Sequence, residues 1–233
     1  LGIMLRLFIF LITSYAMIGC APLTLESRQD AMPRNFVDIG NYIPDAIIDA
    51  RYASSNNFTG KPVDGYFANK CLLTRDTALA LRRVQEVLTE SKMILKIYDC
   101  YRPQRAVDQF IAWTEDLSDQ NTKAEYYPRI GKDTLLGPYI ASQSGHSKGN
   151  TIDLTIMAFY QGSYYELDMG SSYDLFDPIS HTKTNLITLQ QQRNRLLLKE
   201  IMEQFNFMNY ELEWWHFSFQ SLTPYPFLNF PIQ

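Results

Sequence analysis

From residue 75 to residue 219, segments of helical period and short strand-length apolar runs follow one another in irregular order, and that order limits the fold more than any other feature. Leu81, Val84 and Leu88 recur at helical spacing behind Thr74, which predicts a helix over about 75–90 capped by that threonine. Met93 to Tyr98 is an apolar run of strand length, closed by Asp99-Cys100-Tyr101-Arg102-Pro103. Pro103 biases Arg102 toward extended backbone and suits the first turn of a helix in which Val107, Phe110, Ile111 and Thr114 share a face. Ile152, Leu154 and Ile156 alternate with Asp153 and Thr155, the pattern of a half-buried strand. A helix over about 189–205, with Leu197, Ile201 and Phe205 four apart, and an aromatic strand from Glu213 to Phe219 complete the series. A regular βαβ rhythm is missing, so the expected class is α+β: a single domain with a small antiparallel sheet flanked by helices. At 233 residues and 46% hydrophobic, the chain is long and apolar enough to bury one such core.

The first segment is different in kind. Arg6 is the only charge before Cys20, and Leu7 to Ile18 is almost wholly apolar, the charged start and short core of a secretory signal. About 20 apolar residues are needed to span a bilayer, and this run is shorter. It ends in Met17-Ile18-Gly19-Cys20, which resembles a bacterial lipobox; an ordinary signal peptide with an incidental cysteine is the plainer alternative. The expected organisation is a signal over 1–19, a lipidated Cys20 with a polar tether over 20–35, and a folded domain over 36–233, exported and anchored at the envelope facing the periplasm. Export makes Cys71 and Cys100 a pair that can close into a disulfide, although two buried thiols that never meet fit the sequence as well. With 21 basic and 25 acidic residues and no basic block, the chain lacks the electrostatic footprint of non-specific nucleic-acid binding. The expected partner is therefore a membrane, through the anchor.

There are three histidines, so an imidazole metal site has few possible compositions. His146 lies in the turn-rich Ser144-Gly145-His146-Ser147-Lys148-Gly149 stretch that runs into the strand carrying Asp153, and a fold-back at Gly149 lets the two converge. Asp153 faces away from the apolar side of its strand and is free to ligate. Glu213 and His216 stand three apart, and strand residues three apart point to opposite faces. They can share a site only if Glu213 precedes the strand proper or sits at a bend. Two histidines and one carboxylate would leave an open position on a zinc ion, with a second carboxylate beside it to take a proton.

Together these residues resemble the VanX-type D-alanyl-D-alanine dipeptidases of the metallopeptidase M15 group, whose Ser-x-His-x-x-Gly-x-x-x-Asp and Glu-x-x-His patterns are present in order. The likeness runs from about Phe36 to the C-terminus, through Arg51-Tyr52-Ala53, Asn57 to Tyr66, Tyr101-Arg102-Pro103, Met169-Gly170-Ser171 and Glu213-Trp214-Trp215-His216-Phe217. The resemblance implies a hedgehog/D,D-peptidase-like fold and one Zn2+ per chain on His146, Asp153 and His216. It implies Glu213 as general base and acid and Arg102 as the partner of the scissile carbonyl and its oxyanion. It places the substrate ammonium at Asp174, assisted by Tyr52, with Ser144 as a further substrate contact; Asp168 and Asp177 are neighbouring carboxylates that compete for that role. His181 is left as a loop or hydrogen-bonding residue. Thr151 replaces the alanine usual in the pattern, beside the ligands but not one of them.

The implied reaction is hydrolysis of a D-alanyl-D-alanine dipeptide. The same metal and base can serve a D,D- or L,D-carboxypeptidase trimming cell-wall stem peptides; the two differ in whether Asp174 and Tyr52 close the amino end of the pocket. A non-catalytic wall-binding lipoprotein on the same fold is the third reading.

Overall fold

A computed structural model describes residues 31–233 of the chain; the apolar run Leu7–Ile18 and Cys20 lie outside the described residues. Among the described residues, eight strands form two sheets. β1 (Phe36–Asp38) pairs antiparallel with β3 (Leu72–Thr74) in a small two-stranded sheet. The main sheet has six strands: β2 (Ile47–Ile48), β4 (Met93–Asp99), β5 (Thr151–Tyr160), β6 (Ser163–Glu166), β7 (Phe207–Asn209) and β8 (His216–Phe219). Its path is β2-β4-β5-β8-β7, with β6 pairing the far half of β5. All its pairings are antiparallel except β2 with β4, so the expected antiparallel sheet carries one short parallel strand at its edge.

Helices α1 (Ile39–Tyr42), α2 (Arg75–Glu90), α3 (Gln104–Glu115), α4 (Lys123–Tyr126) and α5 (Leu189–Glu203) surround the sheets. α2 begins after Thr74, whose hydroxyl pairs with the Thr77 hydroxyl at 2.7 Å instead of capping a backbone N–H. The carbonyl of Pro103 accepts the first bonds of α3 from Ala106 and Val107, at 3.0 and 3.4 Å, so Pro103 is the cap and not part of the first turn. α5 starts with a reciprocal capping box between Thr188 and Gln191. Its buried line runs through Leu198, Ile201 and Met202; of the expected Leu197-Ile201-Phe205 line, Ile201 is buried and Phe205 packs against the core, while Leu197 is 38% exposed. The helix ends before Phe205, and Asn206 turns the chain away at φ 64°.

Two apolar clusters flank the site. The larger buries Leu81, Val84 and Leu88 of α2 and Leu198 and Ile201 of α5 against Ile152, Leu154 and Ile156 of β5. The second is aromatic: Tyr52, Phe58, Tyr66, Phe110 and Trp113 pack edge-on or tilted around the Asn56–Tyr66 loop and α3. β5 lies between helices on one face and the site on the other. Its first half is therefore buried on both faces, including Asp153 and Thr155, where the alternation alone implies a half-buried strand.

Candidate active site

Sheet register builds the site. Asp153 of β5 stands opposite His216 at the start of β8 and opposite Asp99 at the end of β4. Directly opposed residues share a face, so Asp99, Asp153 and His216 form one row across three strands. His146 comes down on this row from a single 3₁₀ turn over Gly145–Lys148, capped by the Ser144 hydroxyl, which accepts the His146 N–H at 3.3 Å. Gly149 ends the turn at φ 72°, and a Cβ there would lie 2.3 Å from the Phe36 ring, so the fold-back requires glycine.

The ligating atoms of His146, Asp153 and His216 lie within 4.8 Å of one another, the one group of that geometry among the described residues. Asp153 Oδ1 is 3.3 Å from His146 Nε2 and 3.1 Å from His216 Nδ1. His146 Nδ1 lies 2.6 Å from the Cys100 carbonyl, an acceptor only, so Nδ1 carries the proton and the Nε2 lone pair faces the group. Tyr173 donates to Asp153 Oδ2 at 3.0 Å. Asp153 Oδ1 is left buried with no hydrogen-bond partner. A buried carboxylate oxygen unsatisfied by protein and aimed at two imidazole nitrogens is what a metal cation would complete, and the outer partners Cys100 and Tyr173 orient the donors as supports of metal ligands do. The residues fit a metal.

Glu213 does precede the strand. The turn Tyr210–Trp215 between β7 and β8 is closed by Tyr210 N–H to the His216 carbonyl (2.9 Å), and Asn209 Nδ2 donates to the carbonyls of Glu213 and His216 at 3.1 and 3.0 Å. This bend brings Glu213 Oε2 to 3.4 Å from His216 Nδ1. Burial, and then the charge of Asp153, push the Glu213 carboxyl up to about 8.

Arg102 donates through Nε and Nη2 to Asp99 Oδ2 at 2.9 and 2.8 Å, between the rings of Tyr52 and Phe110. Tyr66 donates to the other Asp99 oxygen at 2.6 Å. Arg102 lines the cavity beside the metal group. Burial works against the Arg102 charge, but Tyr52 and Asp99 hold its pKa well above the ordinary value.

The cavity measures about 260 Å³, below the roughly 300–1,000 Å³ of drug-sized pockets. Tyr52, Ser144 and Asp174 line it together with the metal group, Glu213 and Arg102. Asp174 is 4% exposed, sits in the left-handed region at φ 61°, and accepts from Tyr52 at 2.9 Å. Burial, and then Asp153, raise its pKa well above the carboxylate range. Asp168 instead accepts from Gln191 and the Gly170 N–H, and Asp177 pairs with Arg129, both away from the cavity. His181 meets Tyr139 at 3.4 Å and is not among the metal group. Sequence reasoning gave no role to Asp99 or Tyr173, which hold Arg102 and Asp153; the signal was their nearness in sequence to Arg102 and Asp174. Cys71 and Cys100 are joined by a disulfide, with Cα atoms 5.2 Å apart.

The profile of the peptidase M15 family, described as D-Ala-D-Ala dipeptidase, matches residues 32–233. The chain belongs to that family. It is 42% identical over 187 residues to the D-alanyl-D-alanine dipeptidase of Streptomyces coelicolor, covering 79% of this chain and 91% of the relative. The enzyme of the same name from Enterococcus faecalis is also 42% identical, with the same coverage. The Escherichia coli enzyme of that name is 35% identical over 192 residues, covering 82% of this chain and 88% of the relative. The cavity brings together a metal-ready donor set, a carboxylate and a guanidinium.

Proposed function

We propose that this chain is a zinc dipeptidase that hydrolyses D-alanyl-D-alanine to D-alanine, with His146, Asp153 and His216 holding the ion. The observation that carries the reading is the unsatisfied Asp153 Oδ1 between two imidazoles, with Glu213 and Arg102 bordering the same small cavity. Zinc bound there supplies Lewis acidity, which polarises a carbonyl and lowers the pKa of water.

The chain's own groups do the rest. Glu213, buried and 3.4 Å from His216, takes a proton from the attacking water and returns it to the leaving amine nitrogen. Arg102 keeps Nε and Nη2 on Asp99 and presents its remaining donors to the carbonyl oxygen as that oxygen becomes negative. Asp174 is a buried carboxylate short of a cation, and the substrate ammonium is the cation that stabilises its charged form, with Tyr52 fixing its orientation. Ser144 accepts the His146 N–H through its oxygen, which leaves its hydroxyl proton for a substrate oxygen.

The burial of Tyr52 and Asp174 supports a pocket closed at the amino end and so favours the dipeptide over cell-wall stem peptides. Turnover of D-alanyl-D-alanine, L-alanyl-L-alanine and a longer peptide ending in D-alanyl-D-alanine by the zinc-loaded protein tests this. Cleavage of the longer peptide at a rate matching the dipeptide overturns the closed pocket, and no hydrolysis of any of them overturns the reading. Export and lipidation at Cys20 extend the proposal on the Leu7–Cys20 sequence, and the Cys71–Cys100 disulfide supports an oxidising compartment. Mass spectrometry of the mature N-terminus checks it, since an unmodified start at another residue refutes the anchor.

A further inference from the structure

The disulfide joins the two places from which the site hangs. Cys71 precedes β3 and Cys100 follows β4, both buried. The Cys100 carbonyl is the acceptor that fixes His146 Nδ1, and the residue before it, Asp99, holds Arg102. The residue after it, Tyr101, donates its N–H to Leu72 of β3 at 3.0 Å. β3 also supports the metal loop, because Thr74 N–H donates to the Gly149 carbonyl at 2.9 Å. Arg102 N–H donates in turn to the His146 carbonyl at 3.3 Å. β3 is thus a shared strut for the segments that present His146 and Arg102, yet it belongs to the two-stranded sheet and not to the main one. The β4–β5 ladder breaks register between Ile97 and Asp99, so regular pairing does not hold the Cys100 peptide in place.

We propose that the Cys71–Cys100 disulfide is a positioning element of the metal site: by fixing the Cys100 carbonyl it fixes the tautomer and aim of His146, and with them the affinity for the metal. The proposal rests on the zinc reading above. Opened, the bridge leaves the Cys100 peptide tied to β3 by the single bond from Tyr101 N–H to the Leu72 carbonyl, and the outer partner of one ligand becomes more mobile. Loss of such outer partners lowers metal affinity about 10- to 100-fold.

The test compares the oxidised chain, the reduced chain and a Cys71→Ala/Cys100→Ala variant. Reduction uses a dithiol, which gives up two hydrogens to the two sulfurs and closes into its own disulfide; it is then removed without oxygen, because free dithiol competes for zinc. Zinc affinity is read by competition with a chromophoric chelator, the fold by circular dichroism, and the His146 Nδ1–H by nitrogen-15 NMR of the metal-free protein. The expected result is an intact fold with a zinc Kd raised at least tenfold in both opened forms and a faster-exchanging His146 Nδ1–H. A Kd within twofold of the oxidised chain, with the fold retained, overturns the proposal. So does collapse of the fold in both opened forms, which makes the bridge a general staple. If the oxidised chain binds no zinc, the zinc reading fails, and the Nδ1–H still decides: faster exchange on opening supports positioning and unchanged exchange refutes it.

Discussion

Replacing Arg102 by alanine separates binding from catalysis most cleanly. The guanidinium spends two of its donors on Asp99 Oδ2, at 2.9 and 2.8 Å, and these bonds exist before substrate arrives. What remains for substrate is the rest of the guanidinium, which lines the cavity and whose partner oxygen carries little charge until the carbonyl is attacked. Removing one oxyanion donor lowers kcat about 10²- to 10³-fold, or about 2.7–4 kcal/mol. Arg102→Ala should lower kcat on D-alanyl-D-alanine by that factor while KM moves far less. A second effect is separable: Asp99 is left almost fully buried with Tyr66 as its remaining close donor. Breaking a buried ion pair costs about 3–5 kcal/mol, so the variant should also melt at lower temperature. Arg102→Lys keeps the charge but not the fork, and should recover more stability than turnover. Steady-state kinetics at matched zinc content, beside thermal unfolding, decide the matter. A variant whose KM rises tenfold or more while kcat stays within tenfold of the parent refutes the assignment, because it would show that the arginine holds the ground state.

Glu213→Gln preserves shape and should keep zinc bound, yet lower kcat about 10²- to 10⁴-fold, the usual loss on removing a general base; near-normal turnover with zinc in place would exclude the proton-transfer role. His146→Ala and His216→Ala should lose metal and activity together, which metal analysis of the purified variants checks directly. Asp174→Asn should raise KM for the dipeptide more than it lowers kcat, since the ammonium it meets is present from the start, and kinetics on a substrate acetylated at nitrogen should be insensitive to the change. Cys71→Ala/Cys100→Ala should lower unfolding free energy by about 3–4 kcal/mol, the loop-closure value for two cysteines 29 apart in sequence, and denaturant titration measures it.

Much of this arrangement was legible in the residues. The helix over 75–90, the strand from Met93 and the approach of His146 to Asp153 follow from period, length and turn composition, because each is set within one segment. The demand that Glu213 precede its strand came from period alone, and the Tyr210–Trp215 turn meets it. What could not be read is what depends on two segments at once. The core line of α5 is displaced from Leu197 to Leu198 because the buried face is chosen by what packs on it, and Arg195 takes part by donating to the carbonyls of Met169, Ile179 and His181. The burial of β5 on both faces is likewise a property of its neighbours. Asp174, among three carboxylates within ten residues, is distinguished by a left-handed backbone turn and a tyrosine far away in sequence.

The break in the β4–β5 ladder shows how little separates a strand from an active site. From Met93↔Ala158 to Ile97↔Leu154 the register is regular, and its continuation would place Tyr98 opposite Asp153 and Asp99 opposite Ile152. Alternation would then turn Asp99 to the side of Ile97 and Leu95, into the apolar core beneath the sheet. The irregularity after Ile97 adds one residue to β4, so that Asp99 meets Asp153 instead. An extra residue of this kind bends a strand and re-aims one side chain without moving the rest. Tyr98 still lies against Tyr173, with ring centroids 4.5 Å apart, and Tyr173 still holds Asp153, so the site face keeps its packing while gaining a carboxylate. That carboxylate anchors Arg102, and the peptide that follows it anchors His146. One inserted residue in β4 thus sets both the electrostatic partner of the proposed oxyanion donor and the outer contact of a metal ligand, which is why these groups come from a strand end and not from a free loop.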